Sequence, residues 1–343
     1  MRTLRAQPLV MTSLAFALAA AAVVGIAAGY GFAAFGHAWK HVHFTWLALA
    51  VAGVVLSLPA YVVSYITVAR VQEGPRLQMP LVMRVVMAGF GGFATGGGFA
   101  LDKRALHAIE DDEHRATVRV LGLGALECAL LAPAAWISAI VLLAVGDHRP
   151  MASLLWPWAI AVPVGAILAF WLARPPRPER VKRGGGRIRT GFGHALDAIV
   201  ILRSLASGAL GCSAAWLGMA LYWALEIASF YGAVRFIGLR PNGAELTLAY
   251  ATGYTLTRRS LPLGGAGVTE ALLTFALHWV GQPVAPALAA VVVYRLFNFV
   301  LPTIPALLVR PRVKPLLEAA EHGRTPAGRE AQQAAAGLGQ LRH

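Results

Sequence analysis

The sequence predicts an all-α polytopic membrane protein with about six full transmembrane helices. Three observations predict this fold class: 57% of the 343 residues are hydrophobic, only 13% are charged, and long apolar stretches recur along the chain. Soluble domains carry about 25% charged residues. We attribute the formal net charge of +14 to membrane topology and expect no nucleic-acid partner, because the basic residues lie mostly between apolar stretches.

Six stretches are apolar over the ~20 residues that a helix needs to cross the hydrocarbon core of a bilayer. They run at approximately 9–35, 45–69, 120–145, 154–173, 208–234 and 286–309. The first follows Arg2 and Arg5, as the apolar region of a signal peptide would. It is longer than such a region and further spans follow it, so we expect an uncleaved helix.

Lys and Arg residues indicate the orientation, since they concentrate in cytoplasmic loops. The segment 174–189 carries seven of them against one Glu, and we expect this linker and both termini to be cytoplasmic. It divides a transmembrane domain, 1–310, into halves at about 9–173 and about 190–310. The tail 311–343 is rich in Ala, Gly, Gln and charge, and we expect it to be cytoplasmic and disordered.

Two apolar stretches of the second half are too short to span. Residues 244–257 and 268–280 would form helices of about 21 and 20 Å. A proline and three glycines lie between them: Pro262, Gly264, Gly265 and Gly267. Irregular backbone at membrane depth persists only where it is buried in protein or lines a polar cavity. We therefore predict a re-entrant, broken-helix hairpin.

The first half contains a weaker counterpart of this hairpin. Residues 81–109 hold a short apolar arm followed by a glycine-rich one, and Gly97 and Gly98 align with Gly264 and Gly265. Counting spans, the first hairpin enters from the cytoplasm and the second from outside. Opposed broken helices predict an inverted-repeat transporter with its site near the middle of the membrane.

Two adjacent arginines, Arg258 and Arg259, lie between the two short stretches of the second half. One arginine at the centre of a membrane helix costs roughly 2.5–3.5 kcal/mol, so water, an acidic partner or an anionic ligand must offset the charge. Other polar residues inside apolar stretches are Glu127, Glu226, Glu270, Arg295 and Asn298.

The residues allow three interpretations. In the first, Arg295 forms a structural ion pair with Glu226 or Glu270. In the second, Arg258 and Arg259 extend to a membrane interface. The third interpretation is an anion site. The glycines permit close backbone approach, a helix N-terminus near residue 268 favours negative charge, and guanidinium groups bind phosphate in fixed geometry. Inside a membrane, such an anion is most simply a lipid headgroup.

Motifs for other chemistry are weak. The acidic run 110–113 with His114 resembles a cation site, but we expect a solvated helix there. No lysine follows a glycine, which excludes a P-loop. Cys128 and Cys212 lie in apolar segments, so neither a disulfide framework nor a zinc site is expected. We expect no catalytic residues, no cofactor and no metal.

The stretch SLPLGGAGVTEALL, followed by AAVVVYRLFNFVLPTIPALL, resembles the second-half signature of the lysylphosphatidylglycerol synthase transmembrane domain family. Members are described as flippase-like integral membrane proteins. The matching positions are Pro262, Gly264, Gly265, Gly267, Glu270 and Arg295. The resemblance covers about residues 9–310. In the first half the chain keeps Gly96, Gly97, Gly98, Asp102 and Arg104 but lacks the family's proline.

The resemblance implies translocation of a lipid and not its synthesis, because residues after 310 leave no room for a soluble aminoacyl-transferase domain. We expect a multi-pass protein of the bacterial inner membrane that moves an anionic phospholipid or a polyprenyl-phosphate carrier. The expected headgroup-binding residues are Arg258, Arg259, Gly264, Gly265, Gly267, Glu270 and Arg295. The expected supporting residues are Glu226, Asn298, Gly97, Gly98, Asp102 and Arg104.

Two other functions stay open. One is an integral membrane enzyme, such as a glycosyltransferase acting on polyprenyl phosphate. The other is a lipid-binding scaffold that retains lipid without moving it. The sequence is also compatible with a homo-oligomer.

Overall fold

The computed structural model describes residues 8–40, 42–71, 74, 76–90, 98–109, 113–146, 151–174, 187–207, 213–254, 262–306 and 308–309. Within these ranges all regular secondary structure is helical, which confirms the predicted all-α fold. Most of the linker 174–189, the tail 311–343 and the acidic residues 110–112 lie outside the described residues.

The helices of the described chain are α1 (Pro8–Tyr30), α2 (Phe32–Ala38), α3 (Thr45–Arg70), α4 (Met79–Phe90), α5 (Gly98–Ile109), α6 (Glu113–Val145), α7 (Ala152–Leu172), α8 (Arg187–Ser207), α9 (Ser213–Phe236), α10 (Gly243–Tyr254), α11 (Val268–Trp279) and α12 (Val284–Arg295). A 3₁₀ turn, Pro262–Gly265, precedes α11. A π-helical turn, Leu296–Val300, continues α12. Helical structure runs on to Ala306, and we call Val284–Ala306 the last span.

Six helical stretches of the described residues are long and apolar enough to cross a bilayer: Val10–Tyr30, Thr45–Arg70, His114–Val145, Ala152–Leu172, Ser213–Phe236 and Val284–Ala306. They match the six predicted spans. The first ends earlier than predicted because Gly31, with a φ of 96°, separates α1 from α2. The third begins earlier because α6 continues through polar residues, where Arg119 donates a 3.0 Å hydrogen bond to the Val71 carbonyl.

Helices α3 and α9 form the central pair and join the two halves of the chain. Small residues let their backbones approach closely, as in other membrane helix pairs. A Cβ at Gly53 would lie 2.5 Å from the Leu225 carbonyl oxygen. The hydroxyl of Ser229 donates to the Ala50 carbonyl at 2.6 Å. This contact places the first turns of α3 against the second half of α9.

The second half contains two short helices, as predicted. Helices α10 and α11 have 12 residues each, or about 18 Å. Reciprocal hydrogen bonds of 2.8 Å between Asn242 and Glu245 start α10, in the manner of a capping box. A Cβ at Gly253 would lie 2.6 Å from Leu273 Cδ2, so α10 and α11 pack closely.

The first half also contains two short helices, α4 and α5, of 12 residues each. The glycine-rich segment between them, 91–97, lies outside the described residues.

Helix α8 was not recognised as an element by the sequence reasoning. It includes residues 187–189 of the predicted linker and packs against α6. Its buried residues Ala198, Ile201, Leu202 and Leu205 recur at helical spacing, whereas Arg203 is exposed. The helix is amphipathic, and because its second face is charged it does not form a continuous apolar stretch in the sequence.

Candidate functional site

Arg295, midway along the last span, forms a buried ion pair with Glu270 of α11. The Arg295 Nε donates to Glu270 Oε1 at 2.7 Å, and the two side chains are 8% and 2% exposed. The sequence left Glu226 and Glu270 open as partners of Arg295, and the structure selects Glu270. Tyr294, which precedes Arg295 in sequence, instead donates a hydrogen bond to Glu226.

The second carboxylate oxygen of Glu270 belongs to the start of α11. Oε2 accepts a 2.6 Å hydrogen bond from the Gly267 backbone N–H. The negative charge thus lies at a helix N-terminus, where the helix dipole favours it. This part of the predicted anion site therefore already holds a carboxylate, supplied by the chain itself.

The backbone before α11 is tightly constrained. Gly267 has a φ of 84°, and a Cβ there would lie 3.1 Å from the Leu18 carbonyl oxygen of α1. Leu263, in the 3₁₀ turn, has a φ of 58°, which is uncommon for a residue with a bulky side chain. Ala266 is buried against Ala15 of α1. The first span thus holds this segment in place.

A second buried polar group surrounds Glu226 on α9. We call it the Glu226 cluster; its members are Glu226, Ser57, Tyr250, Tyr254, Tyr294 and Asn298. Oε1 accepts from Ser57 at 2.8 Å. Oε2 accepts from Tyr294 at 2.8 Å and from Asn298 Nδ2 at 2.6 Å. These donors offset part of the cost of burying the carboxylate.

The tyrosines extend the Glu226 cluster to α10. The Tyr254 hydroxyl donates to Asn298 Oδ1 at 2.9 Å. The Tyr250 and Tyr294 hydroxyls are 3.1 Å apart, and Tyr250 lies 3.4 Å from Glu226 Oε2. Three helices, α3, α9 and α10, therefore meet the last span through one carboxylate.

The π-helical turn separates the two polar groups. Arg295 and Asn298 are three residues apart, a spacing that places side chains on one face of a regular α-helix. The wider turn Leu296–Val300 begins at this point. Arg295 meets Glu270 while Asn298 meets Glu226. Single π turns inside α-helices occur frequently at functional sites.

A groove lies between α1 and the last span, and we call it the α1 groove. Its volume is about 440 Å³. Its lining residues are Phe16, Ala19, Ala20, Val23, Trp39, Leu47, Phe236, Glu270, Val292, Val293, Arg295, Leu296, Phe297, Phe299 and Val300. The wall is apolar except at Arg295 and Glu270. The Arg295 guanidinium lies over the Phe299 ring, with Cζ 4.1 Å from the ring centroid.

Arg295 retains unused hydrogen-bonding capacity beside this groove. Its Nη2 is buried and has no hydrogen-bond partner among the described residues. A guanidinium carries five N–H donors, and Nε supplies the one that reaches Glu270. The N–H donors of Nη2 suit an oxygen-rich anion such as phosphate.

The other predicted site residues are distributed as follows. Arg258, Arg259 and Gly97 lie outside the described residues. Gly264 and Gly265 lie in the 3₁₀ turn, and Gly98 begins α5. Asp102 is buried on α5, whereas Arg104 is exposed on the same helix.

Sequence reasoning missed Ser57, Tyr250, Tyr254 and Tyr294. A signal was present, because Tyr250 and Tyr254 are four residues apart, and so are Tyr294 and Asn298. Residues at this spacing share one face of a helix. Two polar faces on neighbouring apolar helices indicate an internal polar contact.

The six apolar spans and the buried Arg295–Glu270 pair define a polytopic helical membrane protein with polar groups in its interior. The model of the lysylphosphatidylglycerol synthase TM region matches residues 10–306, and the chain belongs to this family. The resemblance seen in the sequence is thereby confirmed, and a lipid-related function in a membrane follows from it. A comparison with curated protein sequences gave no match.

Proposed function

We propose that this protein translocates an anionic, phosphate-bearing lipid across the bacterial inner membrane, with Arg295 as the phosphate-binding group. The observation that carries the proposal is the buried Arg295–Glu270 pair. An arginine at this depth costs about 2.5–3.5 kcal/mol. Its single hydrogen bond to Glu270 leaves Nη2 without a partner in the described chain, beside a groove large enough for a ligand.

We infer that α10 and α11 form the re-entrant hairpin that the sequence predicts. The end of α10 adjoins the middle of the last span through Tyr254 and Asn298. The start of α11 adjoins it through Glu270 and Arg295. Short connections join α9 to α10 and α11 to α12. Both outer ends then lie on one side of the membrane, and both inner ends meet at mid-depth.

The position of α4 and α5 supports an inverted repeat. The His43 N–H donates to the Phe236 carbonyl at 2.8 Å, so α3 begins where α9 ends. Helix α3 therefore ends on the opposite side, and α4 and α5 follow there. The two hairpins then approach from opposite sides, the arrangement that inverted-repeat transporters use around a central site.

The proposed path works by exchange of partners at Arg295. Glu270 neutralises the guanidinium while no lipid is bound. A lipid phosphate reaching mid-depth bonds to Nη2 of Arg295, and its acyl chains stay in apolar surroundings. Arg258 and Arg259, shortly before the broken segment in sequence, would add positive charge along the route. Charge-assisted bonds of this kind contribute roughly 1.5–3 kcal/mol each.

A lipid-binding scaffold is the second candidate. The direct, buried hydrogen bond between Arg295 and Glu270 favours it, because a pair with a purely structural role has this geometry. Such a protein would retain an anionic lipid on purification but would not move it between leaflets.

The test is transport of a fluorescent phosphatidylglycerol in proteoliposomes, scored by its accessibility to a membrane-impermeant quencher. We expect wild-type protein to move this lipid and Arg295→Gln to slow the movement by about tenfold or more. The matched control is Arg203→Gln, because Arg203 is exposed on α8. Normal transport by a folded Arg295→Gln protein would overturn the mechanism, and an immobile lipid in the wild type would favour the scaffold. Glycosyl transfer to polyprenyl phosphate would instead indicate an enzyme.

A further inference from the structure

We propose that the α1 groove binds one acyl chain of the lipid whose phosphate contacts Arg295. This inference rests on the proposed function and extends it, because it assigns the protein a chain-binding site as well as a headgroup-binding group. The ligand class is then a phosphate-bearing lipid, and neither a free anion nor a soluble headgroup should satisfy the site.

The size and the wall of the groove favour a hydrocarbon occupant. Its volume of about 440 Å³ lies in the ~300–1,000 Å³ range of small-molecule sites. Small side chains on one face of α1, Ala19 and Ala20, leave the space that Leu296 and Phe299 enclose from the last span. A polar headgroup would leave its hydrogen-bonding groups unsatisfied against this wall.

Charge identifies which hydrocarbon compound fits. Arg295 and Glu270 are the charged residues among the groove's lining. Glu270 has both oxygens engaged, by Arg295 and by the Gly267 N–H. The Nη2 of Arg295 is a hydrogen-bond donor without a partner among the described residues, so a ligand that fits here supplies an acceptor. A molecule that meets both conditions has a long apolar chain and an anionic oxygen cluster at one end.

The depth of the groove explains why a chain site is needed. Arg295 lies midway along the last span, and the groove also reaches Trp39 and Phe236, where α9 ends. A lipid held with its phosphate at mid-depth cannot keep both chains in their usual alignment within one leaflet. The α1 groove offers one chain an apolar surface while the headgroup crosses.

The test uses a phosphatidylglycerol probe with a photoreactive group on one acyl chain, applied to the full-length protein in phosphatidylcholine vesicles. We expect cross-linked peptides from α1 and the last span. Ala19→Trp fills the groove and should reduce cross-linking by about tenfold or more. Ala21→Trp is the matched control, since Ala21 is exposed on the same helix and does not line the groove. Ala20→Phe provides a second filling variant if Ala19→Trp fails to fold.

Competition separates a lipid from a free anion. Unlabelled phosphatidylglycerol should displace the probe, whereas inorganic phosphate and glycerol phosphate should not. Displacement by inorganic phosphate, or unchanged cross-linking in folded Ala19→Trp and Ala20→Phe proteins, would overturn the inference.

Transport measurements on the same samples separate this inference from the proposed function. Cross-linking in the groove without any lipid movement by the wild type would support the chain site and reject translocation. Lipid movement without cross-linking to α1 would reject the chain site and leave translocation intact.

Discussion

Arg295 and Glu270 are 25 residues apart in sequence and meet through one 2.7 Å hydrogen bond. Because Glu270 also accepts the Gly267 N–H, it ties the last span to the start of α11. The guanidinium covers the Phe299 ring, which packs edge-on against Phe16 of α1 with centroids 5.4 Å apart. One continuous set of contacts thus joins α11, the last span and α1.

The first prediction concerns the stability of this pair. Removing one member leaves a buried charge unpaired, at a cost of about 3–5 kcal/mol. Arg295→Met and Glu270→Gln should each lower the free energy of unfolding by about this amount. The double variant should lose less than the sum, because no buried charge remains. A glutamine at position 270 keeps an oxygen for the Gly267 N–H, so the cycle isolates the pair. Unfolding in mild detergent measures all four proteins.

The same double variant also distinguishes a structural pair from a transport group. If the pair is part of the lipid path, the double variant should be stable and should not move lipid. Full transport by a stable double variant would make both residues structural. Additive losses in the cycle would mean that the two charges do not interact.

The second prediction concerns orientation. The Arg and Lys bias predicts that the linker 174–189 is cytoplasmic. Met151 precedes α7 and donates its N–H to the Trp279 carbonyl at 2.8 Å, so it lies at the end of the bundle where α11 ends. In a cysteine-free background, Gly185→Cys should react only with membrane-permeant reagents in intact cells. Met151→Cys should also react with impermeant ones. The reverse pattern would invert the proposed topology.

The spans and the short helices could be predicted from the sequence because each depends on local composition. Apolar length alone locates the six spans, and Gly267 precedes α11 at the predicted start of its short apolar stretch. The end of the first span was misplaced by about one turn. Gly31 is one of several glycines there, and only its left-handed backbone distinguishes it.

The site depends on contacts between distant residues, so the sequence could only narrow the choices. Both Glu226 and Glu270 were acceptable partners for Arg295, since nothing local sets the packing of α9 against the last span. The π turn that directs Asn298 toward Glu226 has no local sequence signature. Ser57 was not singled out, because a lone serine is ordinary in a membrane helix.

The third prediction concerns Gly267. An alanine there must adopt the left-handed backbone, with φ at 84°, and its Cβ would press on the Leu18 carbonyl at 3.1 Å. We expect Gly267→Ala to destabilise the protein by about 1–3 kcal/mol and to impair transport. Gly191→Ala is the control, since a Cβ there meets nothing within 4 Å. Equal stability of the two variants in thermal unfolding would argue against a constrained segment before α11.

The fourth prediction concerns Arg258 and Arg259, which lie outside the described residues. If they guide an anionic headgroup, replacing both with alanine should weaken binding of phosphatidylglycerol by about 10–100-fold. Lysines should restore binding poorly, because a point charge does not reproduce the planar guanidinium. Native mass spectrometry of bound lipid gives the affinity. Wild-type binding and transport by the double alanine variant would leave the arginines as anchors at a membrane interface.

The last prediction concerns the Glu226 cluster, in which the carboxylate accepts and its neighbours donate. Glu226→Gln places an amide N–H₂ opposite the donors of Tyr294 and Asn298, so it should destabilise the protein by about 1–3 kcal/mol. Asn298→Asp alone places two carboxylates together and should cost at least as much.

Combining the two substitutions restores complementary partners. The new amide at position 226 can donate to the new carboxylate at position 298, which can still accept the Tyr254 hydroxyl now bonded to Asn298 Oδ1 at 2.9 Å. The Ser57 hydroxyl keeps an acceptor at position 226. We therefore expect the double variant to unfold at a higher temperature than either single variant. A double variant no more stable than the worse single variant would mean that the cluster requires its negative charge on α9, and not only matched donors and acceptors.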